Sequence, residues 1–343
     1  MKRPLFHAAA LATFLVAVFG SAPSLAQQQI IHIGAGHPYS LAQAINNRGQ
    51  VVGVMNFPDD EGRFHAYVWE DGVLLDLDPA AAGGSHALDI NDHGHIVGVA
   101  DFGDGLGDGA LWIDGQVHKL AAPVDAHFCA AVAINDRDLI VGSCSFPSET
   151  VPVFWRNGVL ERMAVPSSLY VNPIDVNEGG VVVGGVTRPD GTRFPFVWVD
   201  GVLTDLNTIS DRPFERVVGI NRQGQIAGEG PGPDGRAQGL LWERGAATVM
   251  EPVPGSASAI PYGLNDRGQV VGANGSGGGG FVWTKGETRA VKVFLPGGDA
   301  AYATTVNERG DVAGHASTPQ YEGLPSAVLW PGIAKEPPRR LDR

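Results

Sequence analysis

The chain has 343 residues and a formal net charge of −13, with 48 glycines, 24 prolines and two cysteines. That length can bury a large core, and the glycine and proline content suits many short strands and turns. The acidic balance excludes nucleic acid and anionic membrane as main partners, since both need a basic face.

Residues 1–26 read as a secretory signal. Lys2 and Arg3 form a positive start, and residues 5–20 are an apolar stretch too short to favour a spanning helix. Ser24-Leu25-Ala26 is a small-x-small cleavage site, so Gln27 is expected to begin the mature protein. Losing Lys2 and Arg3 takes the net charge from −13 to −15. No cysteine follows the cut and no later stretch is apolar enough to span a bilayer. The expectation is an exported monomer, periplasmic or extracellular, with no membrane insertion.

Residues 30–33 (Ile-Ile-His-Ile) form a short predicted strand. It resembles the ends of later repeats, such as Val73-Leu74-Leu75-Asp76-Leu77, and so reads as a last strand that arrives first. The motif that follows, Ile45-Asn46-Asn47-Arg48-Gly49-Gln50-Val51-Val52-Gly53, is written seven times. Its asparagines are Asn46, Asn91, Asn135, Asn177, Asn221, Asn265 and Asn307, separated by 45, 44, 42, 44, 44 and 42 residues. A fixed period in this range signals stacked or radial repeats.

Each repeat has the same order of parts. A strand ends at the Ile-Asn pair, and a tight turn opens on the asparagine, whose side chain can bond the backbone. The glycine three residues later suits a positive φ; repeat three places Asp138 there, a residue that tolerates the left-handed region. After a second strand and a longer connection comes a strand ending in tryptophan. All seven tryptophans occupy this position: Trp69, Trp112, Trp155, Trp198, Trp242, Trp283 and Trp330. A two-residue turn of the Asp-Gly or Asn-Gly kind then leads to a final strand, as at Asp71-Gly72 and Asn157-Gly158.

Four antiparallel strands per repeat, seven times over, predict an all-β seven-bladed β-propeller. Its repeats lie near 38–77, 84–120, 128–163, 170–206, 214–250, 258–294 and 300–336. A parallel β-helix or solenoid is the weaker alternative, because its coils seldom use two tight hairpins per repeat. The tryptophans are expected between blades. Residues 332–338 leave little room for a fourth strand in the last repeat, so strand 30–33 is expected to close the ring, and 337–343 to form a tail. In such a meander the two short turns of every repeat fall on one face. The longer second connections and the blade-to-blade links, which differ every time, fall on the other. Function in rigid scaffolds tends to sit on loops of that kind.

Cys129 and Cys144 flank the third repeat's turn at equal distance and are expected to face each other as a disulfide. Among candidate ligands, Asp101, Asp104 and Asp108 share one Asp/Gly loop that could offer oxygens to calcium. Asp59, Asp60 and Glu61 share another, and Asp190 and Asp234 each sit in a Pro-Asp-Gly turn. The spacing matches no EF-hand or nonapeptide motif, so calcium is the one cofactor considered and solvated turns are the plainer reading. His93-Gly94-His95 gives two imidazoles in a short turn, fewer than a transition metal needs. No nucleophile elbow, zinc-helix motif or phosphate loop occurs.

The Ile-Asn-x-x-Gly-x-Val-Val-Gly block, the Trp-x-Asp-Gly block and His65-Ala66-Tyr67-Val68-Trp69 resemble the HAF-type extracellular repeat family, over about residues 30–335. The triplet degenerates in the other repeats, for example to Pro195-Phe196-Val197, so His65 is not expected to be an essential ligand. The resemblance implies a secreted repeat protein and carries over no catalytic residue. The functional expectation is a non-catalytic scaffold presenting its loop face to a protein or an extracellular glycan. The alternative is a propeller enzyme, a lyase or hydrolase of extracellular polymer, with residues converging on the central channel.

Overall fold

The computed structural model describes residues 29–335, apart from 58–61, 79–82, 104, 106, 233, 276–277, 285, 292–294 and 296. The signal segment, the tail, the acidic stretch Asp59-Asp60-Glu61 and Asp104 lie outside the described residues. Seven four-stranded antiparallel sheets stand as blades around a central axis. The expected seven-bladed propeller is the architecture found. In blade 1 the strands run Ser40–Ile45, Val51–Asn56, Phe64–Glu70 and Val73–Asp76, in that order from the axis outwards.

The repeated motif dictates this geometry residue by residue. The innermost strand of every blade carries a register shift, as between Ala42 and Ala44 or between Ala87 and Asp89. The shift is a β-bulge, which bends the strand and turns an extra residue to the axis. Opposite each bulge stands the last glycine of the motif. A Cβ on Gly142 would lie 1.9 Å from the Ala130 carbonyl oxygen, and one on Gly53 would lie 1.9 Å from that of Leu41. No side chain fits there. Rings from the third strand, such as Tyr67, Phe196 and Phe281, pack beside these glycines and are fully buried. At the turn itself Asp138 takes φ 56°, the left-handed role that glycine plays elsewhere.

The tryptophans lie between blades. Each of the following packs back on the blade before it: Trp112 on Ala44, Val52, Ala66 and Leu77 of blade 1, and Trp330 on Val271, Val282 and Val291 of blade 6. Trp69 packs on Ala313, Ala327 and Leu329 of blade 7 and on Ile33, so the first blade leans on the last. Two indoles also donate to backbone: Trp155 Nε1 to the Ala121 carbonyl at 2.7 Å and Trp198 Nε1 to that of Ala164 at 3.1 Å.

Closure comes from the N-terminus. Strand Ile31–His32 pairs antiparallel with Pro325–Trp330 and supplies the fourth strand of blade 7, with Ile31 opposite Leu329 and His32 opposite Val328. His32 thereby takes the register that Asp76 holds against Tyr67 in blade 1. The equivalent of His65 is Ser326, and the two partners bond through His32 Nε2 and Ser326 Oγ at 2.6 Å. His65 itself is buried against Asp76, Nδ1 to Oδ2 3.0 Å. The histidine of the repeat triplet thus ties the third strand of its blade to the fourth, a structural duty that Asp108 and Lys119 take over in blade 2.

Cys129 and Cys144 are direct cross-strand partners in blade 3 and join as a disulfide, S–S 2.06 Å. The bridge closes a separation of 15 residues, a loop whose constraint contributes about 3 kcal/mol. Reduction with the fold intact is therefore expected to lower the unfolding free energy by that amount, and with it the denaturant midpoint. A Cys129→Ala/Cys144→Ala variant should show the lower midpoint with no further response to reductant. Identical midpoints for the oxidised and reduced protein would refute this.

Candidate functional site

The first strands enclose an axial channel with a cavity of about 320 Å³. Three tiers line it. At the turn-face end, the motif asparagine of each blade works twice. Asn135 Oδ1 accepts from the N–H groups of Arg137 and Leu139, both at 3.0 Å, which holds its own turn. Its Nδ2 donates to the backbone carbonyl of Asn177 in the next blade at 2.9 Å. The same inter-blade bond runs from Asn46 to Asn91, Asn91 to Asn135, Asn177 to Asn221, Asn221 to Asn265, Asn265 to Asn307 and Asn307 back to Asn46. The ring closes on itself with every asparagine buried.

A second ring lies just outside it. The residue after each asparagine accepts a backbone N–H from the blade before: Asn47 N–H to Asp92, Asp92 N–H to Asp136, Asp136 N–H to Glu178, Arg222 N–H to Asp266, Asp266 N–H to Glu308 and Glu308 N–H to Asn47. It breaks at Arg222, because a guanidinium cannot accept. Arg222 reaches the carboxylates of Asp136 and Asp266 instead, at 3.5 and 3.4 Å. Its charge partly offsets the acidic turn-face mouth.

The middle tier holds the residue before each Ile-Asn or Val-Asn pair. Five blades have small side chains there: Ala44, Ala133, Gly219, Gly263 and Thr305. Blades 2 and 4 have Asp89 and Asp175. Each carboxylate bridges two blades. Asp89 accepts from Ile90 N–H at 2.8 Å and Ile134 N–H at 2.9 Å; Asp175 accepts from Val176 at 2.7 Å and Ile220 at 2.8 Å. Burial pushes Asp89 up to about 7, with repulsion from Asp175 and Asp136 adding to it against the two N–H bonds. Burial likewise pushes Asp175 up to about 6, with Asp266 adding repulsion.

A carboxyl whose pKa rises on folding holds its proton more tightly in the fold. The stability it gives is fully present below the unfolded value of 3.8 and is lost as pH rises through about 7 for Asp89 and about 6 for Asp175. The melting temperature is therefore expected to fall between pH 5 and pH 8. A thermal melt of Asp89→Asn across that range should show a shallower fall. An unchanged slope in the variant would contradict the assignment.

The third tier, towards the loop face, is formed by the bulged residues. Leu88, Val132, Ile174 and Val218 make an apolar arc over blades 2 to 5. Tyr262, Thr304 and Gln43 make a polar arc over blades 6, 7 and 1. Beside Tyr262 stand the ion pair of Arg216 and Glu229 and the ring of Tyr302. Tyr302 stacks on His315, centroids 5.0 Å apart and planes at 22°. Burial pushes His315 down to about 4, so its imidazole is neutral.

The loop face beyond the mouth carries exposed rings at the first residues of strands: Phe64, Phe128 and Tyr170, with exposures of 45%, 39% and 50%. Phe64 meets Tyr39 edge to face at 5.2 Å. With Leu41, Val54, His86 and Val99 these two rings line a groove of about 290 Å³ between blades 1 and 2. A second cleft of about 420 Å³ lies between blades 3 and 4, bounded by Thr150, Pro166, Tyr170 and Pro189. Residues of a second connection and of a blade-to-blade link share this cleft, as the meander requires.

Those candidate ligands that lie among the described residues each have a local partner. Asp101 closes its own turn, Oδ1 accepting from Gly103 and Gly105 at 2.8 and 3.1 Å, while Asp108 is paired with Lys119. Asp190 caps its Pro-Asp-Gly turn through Thr192, whose bonds hold the carboxyl below its ordinary range, and Asp234 does so through Arg236. His95 bonds Asp138 of the next blade at 2.7 Å, with the ring of His93 5.9 Å from its own. Among the described residues no group of three or more His, Cys, Asp or Glu is placed to hold a metal ion. Asp89, Asp175, Tyr262 and Arg222 escaped the motif reading. Aligning the seven repeats shows the first two as lone acids in a column of small residues.

No protein-family model matches the chain, and no curated protein sequence does. Solved structures match its fold. A puromycin-hydrolyzing peptidase of Mycobacterium tuberculosis matches at TM-score 0.57 and 14% identity over 86% of this chain, which spans 50% of that chain. The β-propeller domain of the Trilobed protease from Pyrococcus furiosus, described as having an open velcro topology, matches at 0.53 and 11% over 86% of this chain and 94% of that one. YCF48 bound to D1 peptide matches at 0.52 and 10%, over 88% and 96%. At such identities the likeness is one of fold, shared by enzymes and non-enzymes alike. The chain is a seven-bladed β-propeller, closed here by its N-terminal strand. Among the described residues no helix is long and apolar enough to cross a membrane.

Proposed function

We propose that this chain is an exported, non-catalytic repeat protein of the HAF type that binds a protein or an extracellular glycan on its loop face. The observation that carries the reading is the placement of exposed rings. Phe64 and Tyr170 open onto the loop face in preformed clefts, and Phe128 is exposed on the same face. Aromatic side chains on a rigid frame give large contact area at small entropic cost. The disulfide of blade 3 is compatible with an oxidising compartment.

The enzyme alternative draws on Asp89 and Asp175, carboxyls with raised pKa values in a channel, the pattern of a general acid and base. Their hydrogen bonds favour a structural duty, since each carboxylate already receives two backbone N–H groups. The test is a binding screen of the mature chain against displayed surface proteins and extracellular glycans. A Phe64→Ser/Phe128→Ser/Tyr170→Ser variant should lose the binding, and a turn-face His93→Ala variant should keep it. Loss in the turn-face variant alone would overturn the reading. So would steady cleavage of a bound polymer that Asp89→Asn abolishes.

A further inference from the structure

From the two arcs at the loop-face mouth of the channel we infer a sugar-binding site that takes one residue of a neutral or amino-bearing glycan, with Tyr262 as its stacking platform. The inference rests on the binding reading above and names its ligand class. A pyranose ring has apolar C–H faces and a rim of hydroxyls. The bulged residues divide in the same way: Leu88, Val132, Ile174 and Val218 on one side, Tyr262, Thr304 and Gln43 on the other. The bulges that aim these residues occur in all seven blades, so the asymmetry comes from side-chain choice alone. The cavity of about 320 Å³ falls at the small end of the range for ligand sites.

The polar arc has free capacity. The Tyr262 ring is 37% exposed, and its hydroxyl makes no hydrogen bond among the described residues. Gln43 offers its side-chain carbonyl, since only its Nε2 is engaged, by His86 at 3.3 Å. Thr304 engages its hydroxyl with the carbonyls of Ala42 at 2.9 Å and Ala313 at 3.2 Å. The stacked Tyr302 and His315 pair and the Arg216–Glu229 ion pair stand behind Tyr262 and bring no net charge to it. Charge then selects among sugars. Seven carboxyl groups line the channel against one guanidinium, Arg222. A uronate residue would meet that field with like charge, whereas a neutral or amino sugar would not.

The probes are trimers of N-acetylglucosamine, glucosamine, glucose in β-1,4 linkage and galacturonate, titrated calorimetrically into the mature chain. A neutral or amino trimer should bind and galacturonate should not. Tyr262→Ala should weaken the binding about tenfold, while Tyr262→Phe, which keeps the ring, should change it by less than about threefold. His93→Ala, on the turn face, should leave it unchanged. Galacturonate binding as tightly as the neutral trimers would overturn the charge argument. Loss of binding in Phe64→Ser with Tyr262→Ala unaffected would move the sugar to the outer groove, overturning the site and leaving the binding reading intact. No trimer bound, with a protein ligand still captured by the loop face, would also overturn the sugar site alone. A melt of Tyr262→Ala within about 2 °C of the parent shows that the variant is folded.

Discussion

A chain that begins at Ala35, without strand Ile31–His32, is expected to melt about 6 °C below the mature protein and to self-associate. The strand is short, but its removal acts on three levels. It takes away the buried side chain of Ile33 and the half-buried Ile31, together worth roughly 4 kcal/mol. At the size of this domain that is a shift of about 6 °C. It strips the last blade's third strand, Pro325–Trp330, of its outer partner and leaves an open edge, a template for pairing with another chain. It also removes Ile33 from the cluster in which Trp69 of blade 1 packs against Ala313, Ala327 and Leu329 of blade 7. Differential scanning calorimetry with light scattering measures both effects. A truncated chain that melts with the parent and stays monomeric would show that the ring does not depend on its N-terminal closure.

Asn135→Ala is expected to cost about 3 kcal/mol, a large loss for a single polar side chain. Asn135 is 5% exposed, so water cannot replace what it does. Its removal leaves the N–H groups of Arg137 and Leu139 without their acceptor, at about 1–3 kcal/mol for each group left unsatisfied, and leaves the carbonyl of Asn177 with only the Gly180 N–H. Asn135→Asp is the informative companion. It keeps the two acceptor bonds inside the turn and loses the donor to the next blade, so it separates the turn from the ring. Urea unfolding of both variants should rank parent above Asp above Ala. Equal stability for Asp and parent would mean that the inter-blade bond contributes nothing.

The repeat made the fold legible because each of its fixed residues meets a separate backbone demand. The asparagine holds a turn, the first glycine takes positive φ, the last glycine clears the bulge and the tryptophan fills the space between blades. Seven copies of one constraint leave little room for another architecture. The spare strand was legible too, because residues 30–33 match the outer strands in pattern while the last repeat lacks one. What the motif hid was the second use of its own asparagine. The bond from Asn46 to Asn91 spans 45 residues and exists only once the blades stand side by side.

The candidate site was less legible for a related reason. It is built from positions the motif does not fix. Gln43, Leu88, Val132, Ile174, Val218, Tyr262 and Thr304 vary from repeat to repeat and read as unremarkable strand residues. Only the bulge, which depends on pairing with the second strand, turns them to the axis. The acidic loop of Asp101 drew attention by its composition, yet its carboxylate closes a local turn. Composition marks a chemistry that a loop could perform, whereas the topology decides which side chains converge.

Hydrogen exchange with and without a bound ligand tests the central claim, that the loop face and its channel mouth form the working surface. With the tightest-binding partner from the screen, protection is expected at residues 37–43, 63–66, 126–129 and 260–262. The turns that open on Asn46, Asn91, Asn135 and Asn177 should exchange as in the free protein. Protection confined to those turns, with the loop face unchanged, would place binding on the opposite face and contradict the account.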